Sequence, residues 1–369
     1  VTLANENGTP FNENIEWYRQ DADGNIISNE GTEPTGNSDD DTPSTPDVVA
    51  PRITVPHMLA NYLPLAGFFS TLLAKDMVPG DGSTEYAIAI TDSASSHYGE
   101  LIFFRSNETL EPGADKTVTI NGVEYTGRLY NQLYFSSGTT SPFDDVKAVV
   151  TKAYVAEGFK IYPRSCRYMC AGLSNLQSFD FAGFDFTTDS PSGDAFHNMA
   201  MTSMFRGCTS LTEVKNLGNL VHITSMDSMF EGCTALEEVD FGNLGFLDGA
   251  SGYGMSRLFY GCTSLKRVSA GSEFNTTNVA AMNEMFSGCS ALTAEGVQPF
   301  INQLDTSGVG RGATYSNNGN YYSMYRMFSD CSSLTSLDLS GFNTSNVKSM
   351  GGMFYNCSGL TSLDVSNFD

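Results

Sequence analysis

Basic side chains are scarce in this chain. Nineteen Lys and Arg face 42 Asp and Glu, a formal net charge of -23 across 369 residues. A field of that sign repels phosphate backbones and anionic lipid, so a function built on neutralising nucleic acid or a membrane surface is excluded. It keeps an elongated protein soluble, and among charged ligands it leaves calcium or a basic partner as the kinds that fit. Histidine is scarce too: His57, His97, His197 and His222 are scattered, with no second ligand at zinc spacing. No nucleophile elbow, P-loop or dinucleotide fingerprint occurs, so no catalytic residue, metal ligand or cofactor is assigned. Long apolar runs are missing as well. The nearest, Met58 to Ala74, is interrupted by Asn61 and Pro64 and is too polar to span a bilayer. No secretory signal is present and the first residue is Val1, which reads as a processed or trimmed product.

What the chain has is repetition. Met-x-x-Met-Phe or a close variant begins at Met201, Met226, Met255, Met282, Met324 and Met350, with Leu258 the one replacement of the second Met. Three places after each Phe comes a cysteine: Cys208, Cys233, Cys262, Cys289, Cys331 and Cys357. Three places later comes a leucine: Leu211, Leu236, Leu265, Leu292, Leu334 and Leu360. A hydrophobic pair around a polar residue follows, clearest in Leu337-Asp338-Leu339 and Leu363-Asp364-Val365. An earlier, degenerate copy aligns Leu176, Phe179, Asp180 and Phe181 with Leu334, Leu337, Asp338 and Leu339, and puts Leu173 at the cysteine place and Cys170 at the phenylalanine place.

A unit of this length cannot bury enough apolar surface alone to offset its backbone entropy, so it must stack on its neighbours. The expected fold is therefore a leucine-rich-repeat solenoid of about seven units. Leu-x-x-Leu-x-Leu supplies a short parallel strand with alternating faces. Met-x-x-Met-Phe suits a single helical or 3-10 turn on the opposite wall. Six cysteines share one repeat position where the degenerate copy has leucine, which makes them reduced, buried hydrophobes; stacking leaves neighbouring cysteines within disulfide reach, and Cys166 with Cys170 is the least settled pair.

The expected organisation is a hairpin and acidic Pro/Ser/Thr/Asn-rich linker over 1–50, an amphipathic helical segment over 51–83, a β-rich lead-in over 84–165, and the repeats over 166–369. "IEWYRQDADGNIIS" reads as the hairpin, with Asp21-x-Asp23-Gly24 a turn rather than a calcium loop. Pro64 opens a helix whose Leu65, Phe68, Phe69, Leu72 and Leu73 form one stripe that docks on the lead-in or drives self-assembly. Between Cys289 and Cys331 the unit is too long. There Val297, Phe300, Ile301 and Leu304 fall on one helix face, and residues 306–323 read as a Gly- and Tyr-rich surface loop. Asp369 follows a strand with no polar cap, so repeats that continue, or a partner over that end, are expected.

These repeats, with "NTTNVAAM" at Asn275–Met282 and "NTSNVKSM" at Asn343–Met350, resemble the BspA-like leucine-rich-repeat surface proteins, also called the Treponema pallidum type. The resemblance covers about residues 84–369 and takes in "EYAIAITD", "GELIFFRS" and "YPRSCRYMCAGLSNL" upstream. It implies a bacterial protein, exported to the cell surface or secreted, that binds host or microbial proteins without enzyme activity. The partner surface expected from the residues is the outward strand face, mainly acidic and suited to a basic protein: Asp180, Glu213, Lys215, Glu238, Asp240, Arg267, Asp338 and Asp364. Arg311, Tyr315, Tyr321 and Tyr322 are the candidate recognition residues of the inserted loop. The competing expectation is a structural subunit of a pilus or virion fibre, displayed on a virion surface in the second case.

Overall fold

The computed structural model describes residues 15–20, 26–28, 49–53, 83–133, 139–163, 165–186, 199–221, 223–244, 253–310 and 323–368. The chain divides into two compact units, Val1–Thr71 and Leu72–Asp369. In the first, β1 (Ile15–Gln20) and β2 (Ile26–Ser28) pair antiparallel where the hairpin is predicted. A strand that the sequence reading missed, β3 (Val49–Ile53), pairs antiparallel with β1 on its other side. Pro51 argues against a strand, yet β3 is an edge of the order β2-β1-β3, where a missing N–H is tolerated. The expected boundary between 50 and 51 falls inside it. The turn at Asp21–Asn25, most of the linker and the helix of 64–75 lie outside the described residues.

The second unit begins with a seven-stranded sheet. Its strands are β4 (Thr84–Ala89), β5 (Glu100–Ser106), β6 (Gly113–Ile120), β7 (Val123–Tyr130), β8 (Lys152–Val155), β9 (Ser178–Asp180) and β11 (Glu213–Lys215), ordered β11-β9-β8-β5-β4-β7-β6. β6 and β7 form a hairpin through Asn121 and Gly122, both at positive φ, the geometry of the tight primed turns. From β5 toward β11 the pairings are parallel, so β8 hands the sheet to β9 and β11, the strands of the first two repeats. Ala87, Leu101 and Phe103 on one face join the repeat core, while Ile88, Ile102 and Phe104 on the other pack with Val118, Ile120 and Leu129.

The remaining repeats carry β13 (Glu238–Asp240) paired with β15 (Arg267–Ser269), and β17 (Ser336–Asp338) paired with β18 (Ser362–Asp364), all parallel and in register. A second line of parallel pairs runs along another wall: β10 (Met199–Ala200) with β12 (Ile223–Ser225), and β14 (Tyr253–Gly254) with β16 (Val279–Ala281). Among the described residues no helix is long and apolar enough to cross a membrane.

Met-x-x-Met-Phe forms isolated turns instead of a helix. Met204 N–H bonds Met201 O at 3.1 Å and Arg206 N–H bonds Ser203 O at 3.2 Å, but Ser203 has φ +55°, which stops helical propagation. The same place is left-handed in every copy, at Ser228, Arg257, Glu284, Arg326 and Gly352. The turn frees alternate N–H groups to reach the next coil: Phe205 to Met229 O, Phe230 to Leu258 O, Phe259 to Met285 O and Phe286 to Met327 O, all 2.8–2.9 Å. The phenyl rings follow in a column. Phe205, Phe230, Phe259, Phe286 and Phe328 are spaced 5.5 Å apart with planes within 15°, and Phe354 continues at 5.9 Å.

The cysteines run beside this column and have a specific task. Each thiol donates to the carbonyl of the phenylalanine one coil earlier: Cys233 to Phe205 (3.1 Å), Cys262 to Phe230 (3.0 Å), Cys289 to Phe259 (3.1 Å), Cys331 to Phe286 (3.2 Å) and Cys357 to Phe328 (2.9 Å). Cys208 donates to Cys170 O at 3.0 Å, the residue that aligns with those phenylalanines. Leu173 stands at the cysteine place of the first coil, which has no earlier repeat to bond. Cysteine fits because its S–H is a weak donor on a small, largely apolar side chain. Burial pushes Cys208 and Cys262 up to about 12, so both remain thiols that can donate.

Where the repeat is too long, α1 (Ala294–Ile301) forms as the spacing predicts, with Val297, Phe300 and Ile301 buried and Thr293 capping Gly296 N–H at 3.1 Å. It occupies the place of a strand between β15 and β17. Gln298 there imitates a strand backbone: its Nε2 donates to Asp338 O at 2.8 Å and its Oε1 accepts from Asp338 N–H at 2.9 Å.

Two outcomes are expected. All eight cysteines are free, and only Cys357 is not fully buried. A thiol reagent applied to the native protein should therefore react quickly with Cys357 alone, and Cys357→Ala should abolish that fast phase; fast reaction of several thiols would contradict the packing. Gln298→Leu should lower unfolding stability by about 1–3 kcal/mol, read from denaturant melts, because it strands a backbone N–H and a carbonyl.

Candidate partner-binding face

The outward face is built by strand alternation. In β13 the pattern is exposed, buried, exposed, with Val239 in the core and Glu238 and Asp240 in solvent. Glu213, Lys215, Arg267, Asp338 and Asp364 are exposed likewise, and Asp180 is half-buried. Register places Asp180 beside Lys215, Glu238 beside Arg267, Asp240 beside Ser269 and Asp338 beside Asp364. Among these partners two acids are direct neighbours only at Asp338 and Asp364, so the expected repulsion along successive rungs is confined to one step. Lys215 Nζ lies 3.1 Å from Glu213 and Arg267 Nη1 lies 3.9 Å from Glu238, which neutralises part of the remainder. All these groups are exposed, so the pairs set local charge more than stability.

The four aspartates are not free ligands. The Oδ1 of Asp180 accepts from Ala182 N–H, that of Asp240 from Gly242, that of Asp338 from Ser340 and that of Asp364 from Ser366, at 2.8–3.0 Å. Each closes a turn that ends its strand, a local bond that Asp and Asn side chains make readily. Bonds from Ser340 also hold the Asp338 carboxyl below the usual carboxylate range. Asp240, Asp338 and Asp364 are nevertheless exposed at the ends of their strands, and Asp180 is half-buried.

The face is also not one continuous sheet. β11 and β13 belong to different sheets, and α1 separates β15 from β17. At its upstream end a shallow groove is lined by Lys152, Tyr154, Ser178, Asp180, Ala182 and Lys215, where β8 meets the first repeats. There the Lys152 ammonium sits 4.4 Å above the Tyr154 ring and 3.6 Å from Glu100. This cation belongs to the lead-in and was not read as part of the face.

Arg311, Tyr315, Tyr321 and Tyr322 lie outside the described residues. Their stems are described: Gly310 N–H bonds Ala280 O, and Ser323 O accepts from Met282 N–H. Both stems therefore sit at β16, on a different wall from the acidic strands. The surface loop expected from residue 306 is corrected over 306–310, because Thr306 and Val309 are buried and Thr306 Oγ1 exchanges bonds with Asn343 across the coils.

A charged line on the turn wall escaped the sequence reading. Arg206 and Arg257 both reach Glu231 Oε1, at 3.3 and 3.1 Å, and Arg257 also lies 3.7 Å from Glu284. Arg257 covers the Tyr260 ring at 4.0 Å. The signal was present in the polar places of Met-x-x-Met-Phe-x, had these been stacked in the same register as the strands. Half-buried on this wall, Asp227 accepts from Ser225 Oγ at 2.9 Å and from Ser256 N–H at 2.8 Å. Burial raises its affinity for a proton, partly offset by those bonds and by Arg167.

Among the described residues no group of three His, Cys, Asp or Glu is placed to hold a metal ion. His97 pairs instead with Glu100 at 2.9 Å and packs edge-on to Tyr125.

Because the Asp227 proton is held more tightly folded than unfolded, its ionisation opposes folding. That cost is absent below the unfolded carboxylate range and complete above the raised value. Asp227→Asn should therefore melt closer to the parent at pH 3 and progressively higher relative to it toward pH 7. A constant difference across that range would refute the assignment.

No curated protein matches the chain. The family described as "Mycoplasma protein of unknown function, DUF285" matches residues 199–318 and, again, 253–369, so the Met-x-x-Met-Phe repeats of this chain are similar to that family.

Proposed function

We propose that the stacked repeats are a leucine-rich-repeat solenoid of the BspA-like kind, and that the protein is a non-enzymatic recognition or adhesion module displayed on a bacterial surface or released from it. The observation that carries this reading is the strand wall. Alternation buries Phe179, Val239, Val268 and Leu337 and turns their neighbours outward in register over several coils. A surface of that kind recognises a partner by area and charge pattern instead of by a pocket. Its acids include Asp240, Asp338 and Asp364, which are exposed, and the protein partner that complements them carries Lys or Arg.

The test keeps the fold and removes the charge. Asparagine retains the Oδ1 that closes each strand-ending turn, so a variant combining Glu238→Gln, Asp240→Asn, Asp338→Asn and Asp364→Asn should fold as the parent does. Parent and variant would be compared for binding to a panel of purified extracellular-matrix and bacterial surface proteins. At least one should bind the parent, weaken at least about tenfold in the variant, and weaken with added salt. Equal affinity of parent and variant for every binding protein would remove the strand face as the site.

A further inference from the structure

The strand wall has an open seam between β11 and β13. The residue seven places after the repeat cysteine turns its backbone toward the preceding coil, where it is bonded. Lys215 O accepts from Phe181 N–H at 3.0 Å, Ser269 O from Phe241 N–H at 2.9 Å and Asp364 O from Leu339 N–H at 2.9 Å. Asp240 holds that place on β13, yet β11 and β13 belong to different sheets and no hydrogen bond joins the two strands among the described residues. Asn216 N–H, the counterpart of Phe181 N–H, does not reach Asp240 O. At the seam Val214 is half-buried, whereas its equivalents Phe179, Val239, Val268 and Leu337 are buried, so water enters between these strands. The opening is local. Elsewhere the same two coils stay joined, by Cys233 S–H to Phe205 O at 3.1 Å and Thr234 Oγ1 to Thr209 O at 3.3 Å.

The molecule itself shows what fits such a place. Asp338 is the equivalent of Asp240 on β17, and there too no strand precedes it, because α1 interrupts the wall. A single carboxamide completes it: Gln298 Nε2 donates to Asp338 O at 2.8 Å and Gln298 Oε1 accepts from Asp338 N–H at 2.9 Å. A primary amide carries a donor and an acceptor in one plane, which is what one residue of a strand edge requires. An ammonium or guanidinium only donates, and a carboxylate only accepts.

We propose that the backbone N–H and C=O of Asp240 form a carboxamide-reading position on the partner face, and that the side chain it takes is a Gln or Asn of the protein partner. This rests on the partner reading of the strand wall and narrows it. The partner that brings Lys or Arg to the exposed acids also brings an amide beside them, and that amide supplies to Asp240 what Gln298 supplies to Asp338.

The full chain, isotope-labelled, is titrated with acetyl-Lys-Gln-Lys N-methylamide and with the same peptide carrying Met, a side chain of similar length without the amide. Both peptides carry the lysines, so attraction to the acids is common to them. Followed at the Asp240 amide resonance, the Gln peptide should bind at least about fivefold more tightly than the Met peptide. In the free protein the Asp240 amide should exchange at least about tenfold faster than that of Arg267, which donates to Glu237 O. Gln298→Ala opens the same place at Asp338, whose amide should then acquire the same preference; should that variant fail to fold, the parent titration decides by itself. Equal affinity of the two peptides at Asp240 would overturn the proposal, whatever Asp338 does. So would slow exchange of Asp240 in the free protein, because its N–H would then already have a partner within the chain. Either failure leaves the charge test of the strand face standing, and failure of that test leaves the peptide comparison intact.

Discussion

Each coil of this protein is completed by the next, and the completing bonds have a direction. On the turn wall backbone N–H groups point forward to the following coil, while the cysteine S–H points back to the preceding phenylalanine carbonyl. Both are satisfied only when neighbours sit in one register. That register also brings phenyl rings face to face at 5.5 Å, a repeat set by backbone hydrogen bonding. The left-handed residue between the two methionines is the local condition for all of it. A continuing helix would spend its N–H groups on carbonyls four residues back in the same coil, and no ladder would form.

The same constraint explains how the chain absorbs an insertion. α1 is too wide to be a strand, yet Gln298 extends an amide that exchanges two hydrogen bonds with Asp338, and the stack resumes at β17. The structural continuity of the core is kept while the outward surface is interrupted. The strand face is therefore a set of patches of differing charge: mixed at β9 and β11, paired at Glu238 and Arg267, and acidic at Asp338 and Asp364. The turn wall is different in character, because Glu231 sits between Arg206 and Arg257 and its charge is neutralised within the molecule.

Aspartate at the end of the repeat strand has two tasks that look alike in a sequence. One oxygen closes the turn after the strand in Asp180, Asp240, Asp338 and Asp364. That local bond is reason enough for the residue to recur in a repeat, since Asn275 and Asn343 make the same kind of turn without a charge. What is left for recognition is the charge.

The spacing of Met, Phe, Cys and Leu determined by itself which side chains of the first five copies are buried, because burial follows local periodicity and the same motif recurs in each. It also determined the helix at Ala294–Ile301, whose apolar stripe and cap are local features. The tertiary structure decided what depends on partners distant in the chain. It turned the cysteines from plain apolar fillers into donors, gave the aspartates their neighbours of like or unlike charge, joined the lead-in to the repeats through β8, and placed Pro51 on an edge where a strand can hold it. A sequence states what each residue prefers; which unpaired N–H, carbonyl or charge lies opposite it is settled only when the coils are stacked.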